Sequence, residues 1–433
     1  MNHYPADLAE IVFEKLPVRD IRNFDMDVLS DLLETAYFAS LCTEEAQPIS
    51  CTLTFIDPES PDPGPLRKLD PDHWRCVELD DPIPLNVNNL VKLARAADQA
   101  SSHLAVFHGD GNELFIWGMI DQANRYRSYL DLETDAGADV PGYFNVVISG
   151  IGSILVYKNY TLVGSIRRNI IARRGYNVME IGPIGNIFQT SILDYINDVR
   201  SSLGEAIFDK RKHWRNTLGW NWTSSLRRIL INIQAHHKGG SLLIIPHGEP
   251  QPYKDLNIKY GIRYDRLSEA LNGLAEASIM RSDADEEIHS QYLPTDRKHM
   301  PVLLHLDIVL EGAHEAHRQS ELTGCIRFIS ALSRVDGLVL LDGKLCVRGF
   351  GVEINSDEYL DNVYLAGDTN GSEQFLSKLD FNHFGTRHRS MMRFCQKNPG
   401  SVGFVVSQDD DIRAVTREGE RLIVWENIEV QLT

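Results

Sequence analysis

The spacing of apolar residues changes character several times along the chain, and those changes outline its architecture. From Met26 to Tyr37 apolar side chains recur at helical spacing, whereas Ile49-Ser50-Cys51-Thr52-Leu53-Thr54-Phe55 alternates as a half-buried strand does. Asp57 to Pro71 is dense in proline and aspartate and reads as a loop, and Leu85 to Asp98 predicts a second helix. His103–Phe107 and Glu113–Met119 flank Gly109-Asp110-Gly111-Asn112, a turn sequence that predicts a hairpin. Phe144–Ile148, Ser153–Tyr157 and Thr161–Gly164 predict three more strands. Gly150-Ile151-Gly152 lacks a third glycine and a following helix, so it predicts a tight turn rather than a dinucleotide loop. Trp74 and Trp117 have two readings, a ligand pocket or the core, and aromatics on strands favour the core.

Helical spacing returns between Gln189 and Trp220, where Ile192, Leu193, Ile196, Val199 and Leu203 recur among charged residues. Lys210-Arg211-Lys212-His213 reads as a solvated basic run within that stretch. A helix from Leu226 to His237 then leads into the apolar run Gly239–Ile245, and Gly261–Tyr264 turns into a helix over 267–271. A helical stretch at about 282–333 precedes the strand-like Val335–Leu341, and Val402–Val406 predicts a late strand. The expected organisation is an α+β domain over 1–188, a helical connector over 189–219, and an α/β domain over 220–433. The last is expected to be a mixed sheet flanked by helices, with its site at the loop ends.

At 433 residues the chain is long enough for two domains with separate cores. No apolar run approaches the roughly 18 residues that span a membrane. Met1–Pro5 has neither a basic n-region nor an apolar h-region, so a cytoplasmic protein is expected. A net charge of −18 argues against sequence-independent binding of nucleic acid, which draws on counterion release by clustered cations. It leaves room for a local basic pocket, and Arg387, Arg389 and Arg393 lie close enough in sequence to focus one. The six cysteines show no CxxC spacing and read as reduced, mostly buried thiols. His314 and His317 fall on one helical face without a third ligand in register, and His236-His237 reads as a helix-end pair.

The richest chemistry lies near the C-terminus. In Gly385-Thr386-Arg387-His388-Arg389, two guanidinium forks match phosphate oxygens, and a glycine lets backbone N–H groups approach them. Upstream, Asp336-Gly337 precedes a buried strand, where a carboxylate can hold the divalent cation that a polyphosphate brings. Together they predict a nucleoside triphosphate site.

The order of these blocks resembles the diadenylate cyclase domain, in which a DGA motif precedes a GTRHR motif. Here the first reads Asp336-Gly337-Leu338, and the second is present without departure at 385–389. The resemblance covers roughly 220–433: helix Leu226–His237 and strand Gly239–Ile245 are similar to the family's opening elements. Val402–Ser407-Gln408-Asp409 stands where the family carries a strand ending in SEE. The departures are Leu338 for alanine, Gln408-Asp409 for two glutamates, and the extra helical stretch at 282–333.

The resemblance implies condensation of two ATP molecules into cyclic di-AMP with release of two pyrophosphates. It implies that Arg387 and Arg389 hold the triphosphate, with Thr386 and the backbone of Gly385 donating hydrogen bonds. Gly337, Leu338, Ser407 and Gln408 would lie along the nucleotide. Asp336 would bind Mg²⁺ or Mn²⁺ near the attacking hydroxyl, with Asp409 as a second acidic group. His388 would either touch phosphate or orient the loop. Two such domains face to face, hence a homo-oligomer, are needed for the product. The first 188 residues resemble the sensor-type domain called DACNV, implying an unidentified small ligand that regulates assembly. The alternatives are a nucleotide-binding regulator that has lost turnover, and another nucleotidyl transfer on the same scaffold.

Overall fold

The computed structural model describes residues 4–16, 21, 24–45, 47–59, 74–98, 101–109, 111–122, 125–133, 140–167, 170–172, 176–208, 214–236, 238–248, 254–291, 302–407, 411–428 and 430. The chain forms two compact units, Met1–Gly175 with Gln431–Thr433, and Tyr176–Val430. Most of the expected loop at Asp57–Pro71 lies outside the described residues, as do the basic run Lys210–His213 and His237.

In the first unit the described elements are α1 (Pro5–Lys15), α2 (Met26–Ser40), β1 (Thr43–Glu44), β2 (Gln47–Pro48), β3 (Cys51–Phe55), β4 (Arg75–Pro84), α3 (Val87–Ala94), β5 (Ser102–His108), β6 (Leu114–Asp121), α4 (Arg125–Leu130), β7 (Phe144–Gly150), β8 (Ser153–Lys158), β9 (Thr161–Arg167) and β10 (Ile170–Ala172). The main sheet runs β10-β9-β8-β7-β3-β5-β6-β4, antiparallel except for the parallel β3–β5 pair. Alternation in β3 decides its faces. Cys51, Leu53 and Phe55 join Leu8 and Val12 of α1 and Leu29, Leu32, Leu33 and Ala36 of α2 in one core. Thr54 points to the other face, where its hydroxyl meets Asn145 at 2.6 Å and His103 at 2.8 Å, both buried.

Asp25 caps α2 by accepting from the Val28 N–H at 2.9 Å. The hairpin expected around Gly109–Asn112 is present: β5 and β6 are antiparallel, and Asn112 adopts a left-handed φ of 62°. Gly150–Gly152 is a turn between β7 and β8, with Gly152 at φ 66°. The second helix is shorter than its pattern, because Asn86 caps it at one end and the chain tightens after Ala94. Trp74 and Trp117 belong to the core, and the Trp117 indole donates to the Ile56 carbonyl at 3.0 Å.

The second unit contains α5 (Gly182–Leu203), α6 (Glu205–Phe208), α7 (Trp214–Gln234), β11 (Gly240–Ile245), β12 (Leu256–Tyr260), α8 (Arg266–Gln291), α9 (Val302–Leu332), β13 (Leu338–Asp342), β14 (Val347–Ile354), β15 (Val363–Ala366), β16 (Leu376–Lys378), α10 (Thr386–Lys397), β17 (Val402–Val406), β18 (Ile412–Glu418) and β19 (Arg421–Trp425). Most of the stretch read as a connector thus forms α5, α6 and the start of α7, which pack within this unit. The mixed sheet runs β12-β14-β13-β11-β17-β18-β19-β15-β16, with β11–β13 and β15–β19 parallel. Central β11 is buried at every position, as suits a strand covered on both faces. Beneath α10, the residues Leu243, Leu338, Leu340, Val405, Val415, Met391, Met392 and Phe394 form one cluster. The long helices α8 and α9 pack on each other, and Arg281 binds Glu315 across them.

Candidate functional site

Strand register brings the two sequence motifs to one end of the second sheet. Val339 of β13 pairs with Leu242 of β11, Ser241 pairs with Val405 of β17, and Val406 pairs with Ile412 of β18. Gly337-Leu338, Val406-Ser407 and Ile412-Arg413 therefore share one edge of the sheet. At about 4.8 Å per strand step, the start of β13 and the end of β17 are about 10 Å apart. The pentapeptide reaches this end of the sheet at β18: the His388 Nε2 lies 3.2 Å from an Arg413 guanidinium nitrogen at the start of that strand.

The pentapeptide is the first turn of α10. Gly385 is the N-cap, and its carbonyl accepts from the N–H groups of His388 at 3.1 Å and Arg389 at 3.2 Å. No side chain caps the helix, so the N–H groups of its first residues face outward. A Cβ at Gly385 would meet nothing within 4 Å, and its φ is −62°, so neither space nor backbone demands glycine. Gly337 is the opposite case. Its φ is 114°, and a Cβ would lie 2.5 Å from the Gly351 carbonyl carbon and 2.7 Å from Gly351 Cα. The close approach of β14 explains glycine at 337 without any ligand.

Arg387 is exposed and Arg389 and Arg393 are half-buried; among the described residues none of the three has an ion pair or hydrogen bond. The Arg389 Nε is itself buried without a partner. The chain has 61 acidic and 43 basic side chains, so unpaired arginines are not forced on it by a shortage of carboxylates. Arg387 and Arg389, in the first turn, also oppose the helix dipole, which disfavours cations at an N-terminus. An anion with several oxygens would relieve both conditions.

His388 does different work. Burial, then the charge of Arg413, and more weakly Arg387, push its imidazole down to about 4 against the pull of Asp411. It is neutral at pH 7, and since arginine only donates, Nε2 accepts from Arg413 and the proton sits on Nδ1. Arg413 also binds Asp411 at 2.7 Å and Glu426 at 3.0 Å, and its guanidinium lies 5.3 Å from the centre of the Phe384 ring. Of the two roles expected for His388, orienting its own segment matches these contacts.

Asp336 is exposed beside the start of β13 and acts electrostatically on Lys259, whose main partner is Glu353 at 2.6 Å. Ser407 closes the end of β17, its N–H donating to the Asp411 carbonyl at 2.8 Å. Leu338 is 5% exposed and belongs to the cluster under α10, so it packs in the core. Gln408 and Asp409 lie outside the described residues. Arg413 was not singled out from sequence, because only the folding of β18 brings it to His388, and Phe384, four residues before His388, carried no signal of its own. Of the six free cysteines, Cys51, Cys325, Cys346 and Cys395 are buried, and burial pushes the Cys395 thiol up to about 12.

The first unit has an open cavity of about 370 Å³, lined by Asp31, Glu34, Phe38, Leu85, Val87 and Glu113 among others. Trp74 and Trp117 do not line it. Residues 23–121, from the start of α2 to the end of β6, match the family described as "Probable sensor domain DACNV". That match supports a sensor domain in the first unit. No curated protein matches the chain. Among the described residues, no helix is long and apolar enough to cross a membrane.

Proposed function

We propose that the second unit binds ATP at the N-terminus of α10 and condenses two ATP molecules into cyclic di-AMP, under control of the sensor-like first unit. The observation that carries this reading is the pair of unpaired arginines, Arg387 and Arg389, in the uncapped first turn of α10, with unpaired Arg393 one turn further along, at the same end of the sheet as Asp336. Arg387 and Arg389 hold the β- and γ-phosphates, and the N–H groups of Thr386 and Arg387 donate to them. Gly385 leaves open space for that approach.

Asp336 supplies a single exposed carboxylate, which fits a cation shared with phosphate oxygens, the usual arrangement for Mg²⁺ on nucleotides. When bound, Mg²⁺ or Mn²⁺ would neutralise charge on the triphosphate. Each 3′-hydroxyl attacks the α-phosphorus of the other nucleotide; the new P–O bond forms as the bond to pyrophosphate breaks. Two such steps yield the cyclic product and two pyrophosphates. The hydroxyl proton leaves toward the Asp336 carboxylate. The chain's own contribution is positioning and charge neutralisation, with no covalent intermediate.

One site holds one ATP, so two units meet face to face in a twofold dimer. The first unit regulates that encounter, with the cavity beside Phe38 and Glu113 as the place for its small ligand. A second reading, a nucleotide-binding regulator without turnover, draws on Gln408 standing where the family carries a glutamate. Calorimetric titration of ATP into wild type and Arg387→Ala tests the shared claim. An affinity loss in the variant supports the phosphate assignment, and equal affinity rejects it.

A further inference from the structure

Arg413 differs from the other arginines at this edge in one respect: its charge is spent. Asp411 and Glu426 flank it at 2.7 and 3.0 Å, which leaves little net positive charge for a phosphate. Its donors instead point in three directions. One nitrogen reaches His388 Nε2 at 3.2 Å in the first turn of α10. Another binds Asp411, whose N–H contacts the Ser407 hydroxyl at 3.2 Å and whose carbonyl accepts from the Ser407 N–H. The Nε binds Glu426, just past β19. The Phe384 ring, immediately before the pentapeptide, lies at 5.3 Å from the guanidinium carbon.

Resting on the nucleotide-site reading above, we propose that Arg413 is a positioning residue: one guanidinium locks the first turn of α10 against the ends of β17, β18 and β19. The lock sets the direction in which Arg387 and Arg389 leave the helix. A planar fork with five fixed donors can serve three partners at once, whereas a lysine ammonium at the same place cannot reproduce the geometry. Neutral His388 is the matching half. A protonated imidazole would meet the guanidinium with a like charge and lose the acceptor.

The test uses the full chain and ATP as the probe, with Arg413→Met, Arg413→Lys, His388→Leu and His388→Gln. Glutamine retains an acceptor near the position of Nε2, and leucine does not. Thermal unfolding, ATP titration and ¹⁵N NMR of the histidine rings are read together. The expected result is a folded Arg413→Met whose His388 signals lose the Nε2-acceptor signature and whose ATP affinity falls tenfold or more. Arg413→Lys restores little, His388→Leu behaves like Arg413→Met, and His388→Gln stays within about threefold of wild type. If Arg413→Met does not fold, the histidine pair removes and retains the same contact from the other side. Wild-type ATP affinity in Arg413→Met or His388→Leu overturns the positioning role while leaving the nucleotide site standing. A wild type that binds no ATP overturns the nucleotide site, and this inference with it.

Discussion

Replacing Arg387 by glutamate should make the protein more stable and its nucleotide site worse. Arg387 is the second residue of α10, exposed and unpaired among the described residues. A cation in the first turn opposes the helix dipole by about 0.3–1 kcal/mol, and a carboxylate there gains a similar amount. The exchange is therefore worth roughly 0.6–2 kcal/mol of added stability in the absence of ligand. Arg387 also helps, behind burial and Arg413, to hold the His388 imidazole down, but that ring is neutral at pH 7, so this adds nothing to the exchange at that pH. The same change deletes a charge-assisted contact worth about 1.5–3 kcal/mol to phosphate, a tenfold to hundredfold loss of ATP affinity. Urea unfolding without nucleotide and calorimetric titration with ATP measure the two effects. Opposite signs are the signature of an arginine kept for binding at the expense of the helix. A variant that is no more stable and binds ATP as wild type does would refute the reasoning.

Gly337→Ala should destabilise the second unit by about 3–5 kcal/mol, combining a φ few residues tolerate with a disturbed β13–β14 contact; Gly385→Ala should stay within about 1 kcal/mol. Equal denaturation midpoints for the two variants would contradict the assignment of Gly337 to packing. The His388 imidazole sits near 4, below its ordinary 6.5, so the unfolded chain takes up the proton first as pH falls. Its contribution is complete above pH 6.5, is lost as the pH falls from 6.5 to about 4, and is constant below that. The loss should amount to about 1–2 kcal/mol after allowing for solvent screening of a half-buried ring, and His388→Gln should flatten that slope in a pH series of thermal melts. Leu338→Ala should cost about 2–5 kcal/mol by opening a cavity under α10. ATP affinity measured in the surviving folded fraction should not improve, since Leu338 belongs to the packed cluster under α10.

Local patterning made much of the first unit legible. The hairpin at Gly109–Asn112 follows from turn chemistry, and β3 and β7 follow from alternation that buries Leu53 against Val146. The helical start at the pentapeptide was not legible, for a physical reason. Thr386-Arg387-His388-Arg389 places cations where helices favour acids and follows a glycine with no capping side chain, so the charge and capping signals of a helix start are missing there. Packing overrides those rules: Met391, Met392, Phe394 and Cys395 are buried against the sheet, and Gly403 of β17 leaves room for the Met391 side chain. Residue types exposed the candidate chemistry of Arg387, Arg389 and Asp336. Their common edge, and the role of Arg413, depend on the β13-β11-β17-β18 order, which no window of sequence contains. The packing reason for glycine at 337 was not legible, because Gly351 is brought to it only by the β13–β14 pair.

The most direct measurement is turnover. Full-length protein incubated with ATP and Mn²⁺ or Mg²⁺ is assayed by mass spectrometry for cyclic di-AMP and pyrophosphate, beside Asp336→Asn. The account predicts both products from the wild type, one cyclic di-AMP for every two pyrophosphates, and neither from the variant, which still binds ATP. Product formed equally by Asp336→Asn would contradict the role given to that carboxylate. A wild type that neither binds ATP nor forms product, with both units folded, would contradict the central claim.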